Sequence, residues 1–450
     1  MSADRDLGAL TGALLAAARR AGADQADAMA VSAEMTAIDA RAGGLEHAER
    51  AEAVEIGLRV LIGGRQACVS ASDHSEATIA EMAERAVAMA RHAPVDEWLG
   101  VADPDELASR RDAAGLESAD PGAAPTPEAL EQSALAAEAA ALEAKGISQV
   151  ESASASYSRR LMRIEASNGF AGGYARTSHA LSTVAITGEG LGMERDYAGE
   201  GRVWAEDLPA PETIGKLAAE RTLARKGAKK PPTGAFPILY DRRVSASLIS
   251  HLLGAVNGSA IARGASWLLR AMDEKVLPDG LSLTEDPHRP RFGGSRLFDA
   301  EGLPTARRTI VDAGILRGWT LDLATARKLG LQSTASASRG LSSPPSPGIS
   351  NVILSGGQGS ADDLIADMGR GLIVTSMLGA SINATTGDYS RGAAGFWVEN
   401  GQISHPVNEC TIAGNLRDML LSIRAAADAE PWRSIEVPSL LVEGMTIAGA

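Results

Sequence analysis

Proline placement constrains this chain before any other reading. Pro231, Pro232 and Pro237 bracket Gly234 near the middle of 450 residues. Each proline fixes φ and removes a backbone donor, so the cluster reads as a boundary between domains. The chain is therefore read as two units, residues 1–230 and 231–450, which its length permits. The basic run Arg225-Lys226 to Lys229-Lys230 leads into the prolines and reads as the solvated end of a helix plus linker.

Periodicity fills in the first unit. Residues 7–21 are rich in Ala and Leu with paired arginines at the end, which predicts a helix. Residues 24–39 suit a strand, and residues 53–62 (AVEIGLRVLI) alternate more clearly. Gly63-Gly64 then makes a turn toward a hairpin partner over residues 65–71. Ile79, Met82, Ala86 and Met89 recur at helical spacing within residues 75–92. A proline-bearing polar connection (104–127) precedes a second helical stretch (128–145). Residues 150–201 read as antiparallel strands, and 212–226 as helix. This predicts an N-terminal α/β domain with helices on a mixed sheet.

In the second unit, residues 244–263 read as one long helix. Short apolar runs follow (308–319, 371–377, 395–404 and 437–448), separated by Gly, Pro, Ser and Asp. The Ser/Pro-rich stretch 333–350 reads as an exposed, mobile loop. The expectation is a β-rich antiparallel domain with one long helix, α+β overall.

With 43 Lys+Arg against 57 Asp+Glu, the formal charge is −14 and the pI about 5.1. That balance disfavours a nucleic-acid or anionic-membrane surface, which would need clustered cations. Cys68 and Cys410 form no CxxC and no disulfide framework, which suits a reducing cytosol. Residues 1–8 lack a basic and apolar leader pattern, and no apolar stretch reaches membrane-spanning length. The expectation is a soluble, cytoplasmic chain.

The search for chemistry returns little. A helical zinc peptidase sets two histidines one turn apart beside a glutamate. None of the seven histidines stands three to five residues from another, and none precedes a glutamate. No GxSxG occurs. Cys410, five residues after His405, reads as a small buried thiol. Gly293-Gly294 and the glycines at 356–359 lack P-loop or dinucleotide context and read as turns.

Residues 383–401 (NATTGDYSRGAAGFWVENG) stand apart. They read as a Gly-rich loop exposing Asp388, Tyr389, Ser390 and Arg391, then a strand, an Asn400-Gly401 hairpin turn and a return strand. Such a loop could close over an extended peptide; a tight turn pinned by an Asp–Arg pair is the alternative. The segment closely resembles the TldD/PmbA family, in its PmbA (TldE) branch. Residues 250–255 (SHLLGA), 285–288 (EDPH), 298–302 (FDAEG) and 326–330 (ARKLG) resemble the same branch.

The resemblance implies a two-subunit cytosolic metallopeptidase that degrades or processes unfolded peptides. TldD-type subunits carry zinc on a helical HExxxH and a later cysteine. Alignment on Gly254 and Arg263 sets Ser250, His251 and Ala255 at the His, Glu and second His positions. No cysteine follows Cys410, although the family's ligand cysteine lies beyond the equivalent of Gly414-Asn415. The implied role is a subunit with no cofactor of its own, zinc residing only in a TldD-type partner. Asp388, Tyr389, Ser390 and Arg391 would help hold substrate, by β-augmentation. Two other readings stay open. One is a stand-alone peptidase using His251, His288, Asp286 or Glu301. The other is a non-enzymatic homodimer, consistent with the family's older description as a modulator of DNA gyrase.

Overall fold

The computed structural model describes residues 2–449; Met1 and Ala450, the outermost residues of the two expected units, lie outside it. The first half opens with α1 (Ser2–Arg20), β1 (Gln25–Arg41), β2 (Gly44–Ile62), β3 (Arg65–Ala71) and α2 (Glu76–His92). It continues with α3 (Pro127–Leu142), β4 (Ile147–Ala166), β5 (Ala171–Thr187), β6 (Glu194–Arg202) and α4 (Pro211–Ala224). The strands form one sheet in the order β3-β2-β1-β4-β5-β6, and every neighbouring pair is antiparallel. The expected mixed sheet is thus uniformly antiparallel. Two-residue turns at Ala42-Gly43 and Gly63-Gly64, all at positive φ, dictate that sense.

Alternation sorts the two faces of this sheet. Ala28, Ala30, Ile56, Leu58 and Val60 pack on Leu14 and Ala18 of α1 and Met82 and Ala86 of α2. Farther along the same face, Ile38, Ala155 and Leu181 meet Leu130 of α3 and Ile214 of α4. Each Ile, Leu, Val or Met side chain among these contributes about 1.5–3 kcal/mol by leaving water. The opposite face carries Met29, Val31, Met162 and Ile164, which pack against Leu297 and Phe298 of the second half.

That second half runs β7 (Gly234–Tyr240), α5 (Ala246–Ala255), α6 (Gly258–Ala262), β8 (Ser282–Glu285), β9 (Arg308–Asp312) and β10 (Ile315–Leu316). Next come α7 (Leu323–Leu329), β11 (Ala337–Ser338), β12 (Ser346–Pro347), β13 (Val352–Ser355), α8 (Ala361–Met368) and β14 (Gly371–Ile382). It ends with β15 (Asp388–Glu399), β16 (Gln402–Asn415), α9 (Leu416–Leu421), β17 (Arg424–Ala425), β18 (Ile435–Glu436) and β19 (Leu440–Ala448). The main sheet is ordered β16-β15-β14-β7-β19-β17, and β16 also pairs with β19 from Thr411↔Ala448 to Ala413↔Thr446. Five strands therefore close on themselves, which removes the free edges an open sheet would leave. A smaller sheet runs β10-β9-β8-β13-β18.

The α+β class holds, with three local differences. Pairing is not wholly antiparallel: β7 runs parallel to β14, and β13 to β18. The long connection between β7 and β14 has room to cross back, as a parallel pair requires. The helix expected over 244–263 is broken into α5 and α6. Asn257 turns extended (φ −67°, ψ 125°), accepts from Ser259 N through its side chain, and donates to Pro347 O at 2.8 Å. The stretch 333–350, expected to be a free loop, is anchored. Its Arg339 side chain is fully buried against Asp27, and Ala337 is buried too.

Those anchors join the halves. Asp27 lies directly opposite Arg59 across β1 and β2, with Arg59 Nε 2.6 Å from Asp27 Oδ2. Arg339 reaches the other oxygen of the same carboxylate from the second half. Leu341 then crosses β2 at Gly57, where a Cβ would stand 2.2 Å from the Leu341 carbonyl oxygen. Among the described residues no helix is long and apolar enough to cross a membrane.

Candidate functional site

Helix α5 forms because Leu248, Ile249, Leu252 and Leu253 fall on one face and bury against the closed sheet. Ser250 lies on its exposed side, and its hydroxyl is turned back to donate to Ala246 O at 2.8 Å. Ala255 offers only a methyl group and is 6% exposed. His251 is half-buried and points toward β15, its ring meeting Tyr389 edge to face with centroids 5.8 Å apart. A zinc ion needs imidazole, carboxylate or thiolate donors converging on one point. These three positions supply one imidazole, and its Nε2 is buried with no hydrogen-bond partner. Ser250, His251 and Ala255 do not fit zinc. Among all the described residues, no three His, Cys, Asp or Glu side chains converge on a common centre.

The segment expected to be an exposed loop is instead the start of a strand. Asp388, Tyr389, Ser390 and Arg391 open β15, paired with β14 on one side and β16 on the other. Alternation gives them different surroundings. Tyr389 is 2% exposed and Asp388 is exposed. Arg391 shares Tyr389's face, while Ser390 takes the opposite one, between Ser381 and Ala413. The preceding turn is not pinned by an Asp–Arg pair. Asn383 Oδ1 accepts from Thr385 N and Thr386 N, Gly387 takes φ 83°, and Asp388 accepts from the Thr386 hydroxyl at 2.6 Å. Arg391 Nε donates to Gly379 O at 2.7 Å.

The two separately read segments therefore meet: His251 of α5 against Tyr389 and Arg391 of β15. Burial, and secondarily the Arg391 charge, hold the His251 imidazole below its usual range and neutral near pH 7. Burial raises the Tyr389 phenol, although Tyr240 and Arg391 pull it partly back. Tyr240, whose hydroxyl is 3.4 Å from that of Tyr389, is pushed up chiefly by burial. Tyr240 had no signal in the sequence beyond ending an apolar run; only the pairing of β7 with β14 brings it here. The result is one guanidinium among neutral rings. Such a group can hold anionic or polar atoms by charge-assisted hydrogen bonds, but it presents no activated nucleophile.

The other candidates sit elsewhere. Asp286 Oδ1 accepts from His288 N at 2.9 Å, and the His288 Nε2 lies 3.1 Å from the Thr305 hydroxyl. Since that hydroxyl donates to Arg296 O, Nε2 is the donor of the pair. Glu301 accepts from Leu323 N at 2.9 Å deep between the halves, beside Asp299, Asp322 and Arg59. No hydrogen bond, ion pair or ring contact joins Asp286, His288 or Glu301 to His251. Cys410 is buried, donates to Ala393 O, and is pushed up to about 11 by burial, as befits a structural thiol.

Comparison with known proteins places these features in a family. The chain matches PmbA/TldA metallopeptidase domain 1 over residues 26–90, the central domain over 120–226, and the C-terminal domain over 233–449. It is 38% identical to the Metalloprotease PmbA of Escherichia coli O157:H7 over 414 residues, covering 92% of this chain and 89% of that protein. A candidate modulator of DNA gyrase from Bacteroides thetaiotaomicron superposes with a TM-score of 0.89 at 29% identity, over 98% of this chain and 99% of that one. TldE from Thermococcus kodakarensis shares the fold, with a TM-score of 0.82 at 18% identity over 98% and 100% of the two chains.

Proposed function

Since this chain belongs to the PmbA/TldD metallopeptidase family, we propose that it is the non-metal-bearing subunit of a TldD/TldE-type complex acting in the cytoplasm on unfolded peptides. The observation that carries this reading is the α5 surface. Ser250 is spent on its own helix, Ala255 has no donor, and His251 is turned to Tyr389. A zinc-dependent peptidase without zinc ligands here needs a second chain to supply the metal. In its place this chain offers Arg391, with Asp388 and Ser390 along the same strand, to help hold an extended substrate. Because β15 is paired on both sides, these side chains rather than its backbone would meet the substrate. The net charge of −14 disfavours nucleic acid as a partner.

The test is co-expression with a TldD-type subunit, followed by zinc analysis of the separated chain and of the complex. Near-zero zinc on this chain alone, with zinc and peptide cleavage in the complex, is the expected result. Stoichiometric zinc on the isolated chain, or full peptidase activity without the second subunit, overturns the proposal. Arg391→Ala should lower peptide cleavage by the complex about tenfold, the worth of one charge-assisted contact. Assembly should be unchanged by gel filtration.

A further inference from the structure

A cavity of about 290 Å³ opens between residues 267–276 and α9. Its floor is apolar: Trp267, Leu268, Ala271 and Val276 are each at most 8% exposed. Its rim is cationic. Of the four charged residues that line it, Arg270, Lys275 and Arg417 are positive and only Glu274 is negative, in a chain of net charge −14. Two of the cations are already engaged. Lys275 Nζ stands 2.8 Å from Asp279, and the Arg417 guanidinium donates to the Trp267 carbonyl. Arg270 is exposed and has neither ion-pair nor hydrogen-bond partner among the described residues.

An apolar floor beside an unpaired guanidinium selects a ligand with both parts. A purely apolar ligand would leave Arg270 unused, and a simple anion would leave the floor wet. The volume lies at the lower end for small-ligand sites, near ~300 Å³, so it suits one aliphatic or aromatic group rather than a long chain. We propose that this cavity binds a small apolar carboxylate, its apolar group on the Trp267–Val276 floor and its carboxylate on Arg270. The C-terminal residue of a peptide and a short fatty acid share that chemistry. The cavity adjoins the turn before β15: Trp267 N donates to Ala384 O at 2.9 Å, and Gly387 packs against the Trp267 ring.

The site is tested on the isolated full chain by titration calorimetry, independently of any peptidase activity. The probes are N-acetyl-leucine, N-acetyl-leucinamide and octanoate. The expected result is binding of at least one acid, with the amide about tenfold weaker than N-acetyl-leucine or silent. Arg270→Ala should remove about that same factor for the acid. It breaks no hydrogen bond or ion pair, and circular dichroism checks its fold. Ala271→Leu, which fills the floor, should abolish binding of all three probes. Tighter binding of N-acetyl-leucine than octanoate identifies a peptide end, and the reverse a fatty acid. Equal binding of acid and amide, no binding of either acid at millimolar concentration, or an unchanged acid affinity in Arg270→Ala overturns the proposal.

Discussion

The His251 imidazole meets the Tyr389 ring at 74°, and Arg391 lies close enough on the same strand face to disfavour a proton on that imidazole. Burial is the larger cause and the guanidinium the second, both acting downward from 6.5. Arg391→Met keeps bulk and removes charge, so the His251 pKa should rise while staying below 6.5. Proton-carbon NMR of the His251 Cε1 resonance against pH reads this directly. An unmoved midpoint would show that Arg391 does not face the imidazole in solution.

Different physics decided which of these features were legible in the sequence. The first-half strands were readable because one face of the sheet takes Ile56, Leu58 and Val60 while the other takes Gly57 and Arg59, and period-two alternation records that. The break after α5 was not, because it is made by Asn257 bonding to Pro347, far along the chain. The Ser/Pro-rich stretch 333–350 looked free for a similar reason: composition predicts solvation, but Arg339 finds Asp27 only in the folded state. For the site, the positions of Ser250, His251 and Ala255 came through family resemblance. Composition suggested that glycine-rich residues 383–401 formed a loop over Asp388–Arg391. The ladder of β15 with β14 and β16 overrides that local preference and buries Tyr389.

Gly57 lets the Leu341 backbone pass close over β2, so Gly57→Ala should destabilise the chain by about 1–3 kcal/mol, toward the upper end because the obstacle is backbone. A methyl there would lie 2.2 Å from the Leu341 oxygen and 2.8 Å from its Cα. Gly12→Ala, in α1 with nothing within 4 Å, is the control and should stabilise by about 0.5–1 kcal/mol. Urea denaturation of both variants decides; equal midpoints would mean the 341 segment is not seated on β2.

Both thiols should be sluggish nucleophiles. Burial pushes Cys68 and Cys410 each to about 11, against Arg59's opposing effect on Cys68. Thiolate is then scarce at neutral pH, and Cys410 is additionally 5% exposed. A colorimetric disulfide reagent at pH 8 should label the native chain far more slowly than the urea-unfolded chain. Rapid labelling of either thiol in the native chain contradicts the burial that sets its pKa.

Glu301 gives the fold a pH dependence opposite in sign to that of a salt-bridged carboxylate. It is buried between the halves, with Asp299 and Asp322 beside it and Arg59 only partly compensating, so its pKa is raised from 4.5 to about 8. Asp299 is raised as well by burial, though it accepts from the backbone N–H groups of Glu301, Leu303 and Ala337. Between pH 4.5 and about 8 the folded chain therefore holds a proton that the unfolded chain has lost. Stability contributed by that proton falls as pH rises across the window and levels off above it. One proton corresponds to a slope of about 1.4 kcal/mol per pH unit. Glu301→Gln keeps the shape and cannot ionise, so its urea-unfolding free energy should lose most of that slope between pH 6 and 8 and exceed the native chain's at pH 8. A variant that parallels the native chain across the window would show that Glu301 is already ionised at neutral pH, its charge balanced by Arg59.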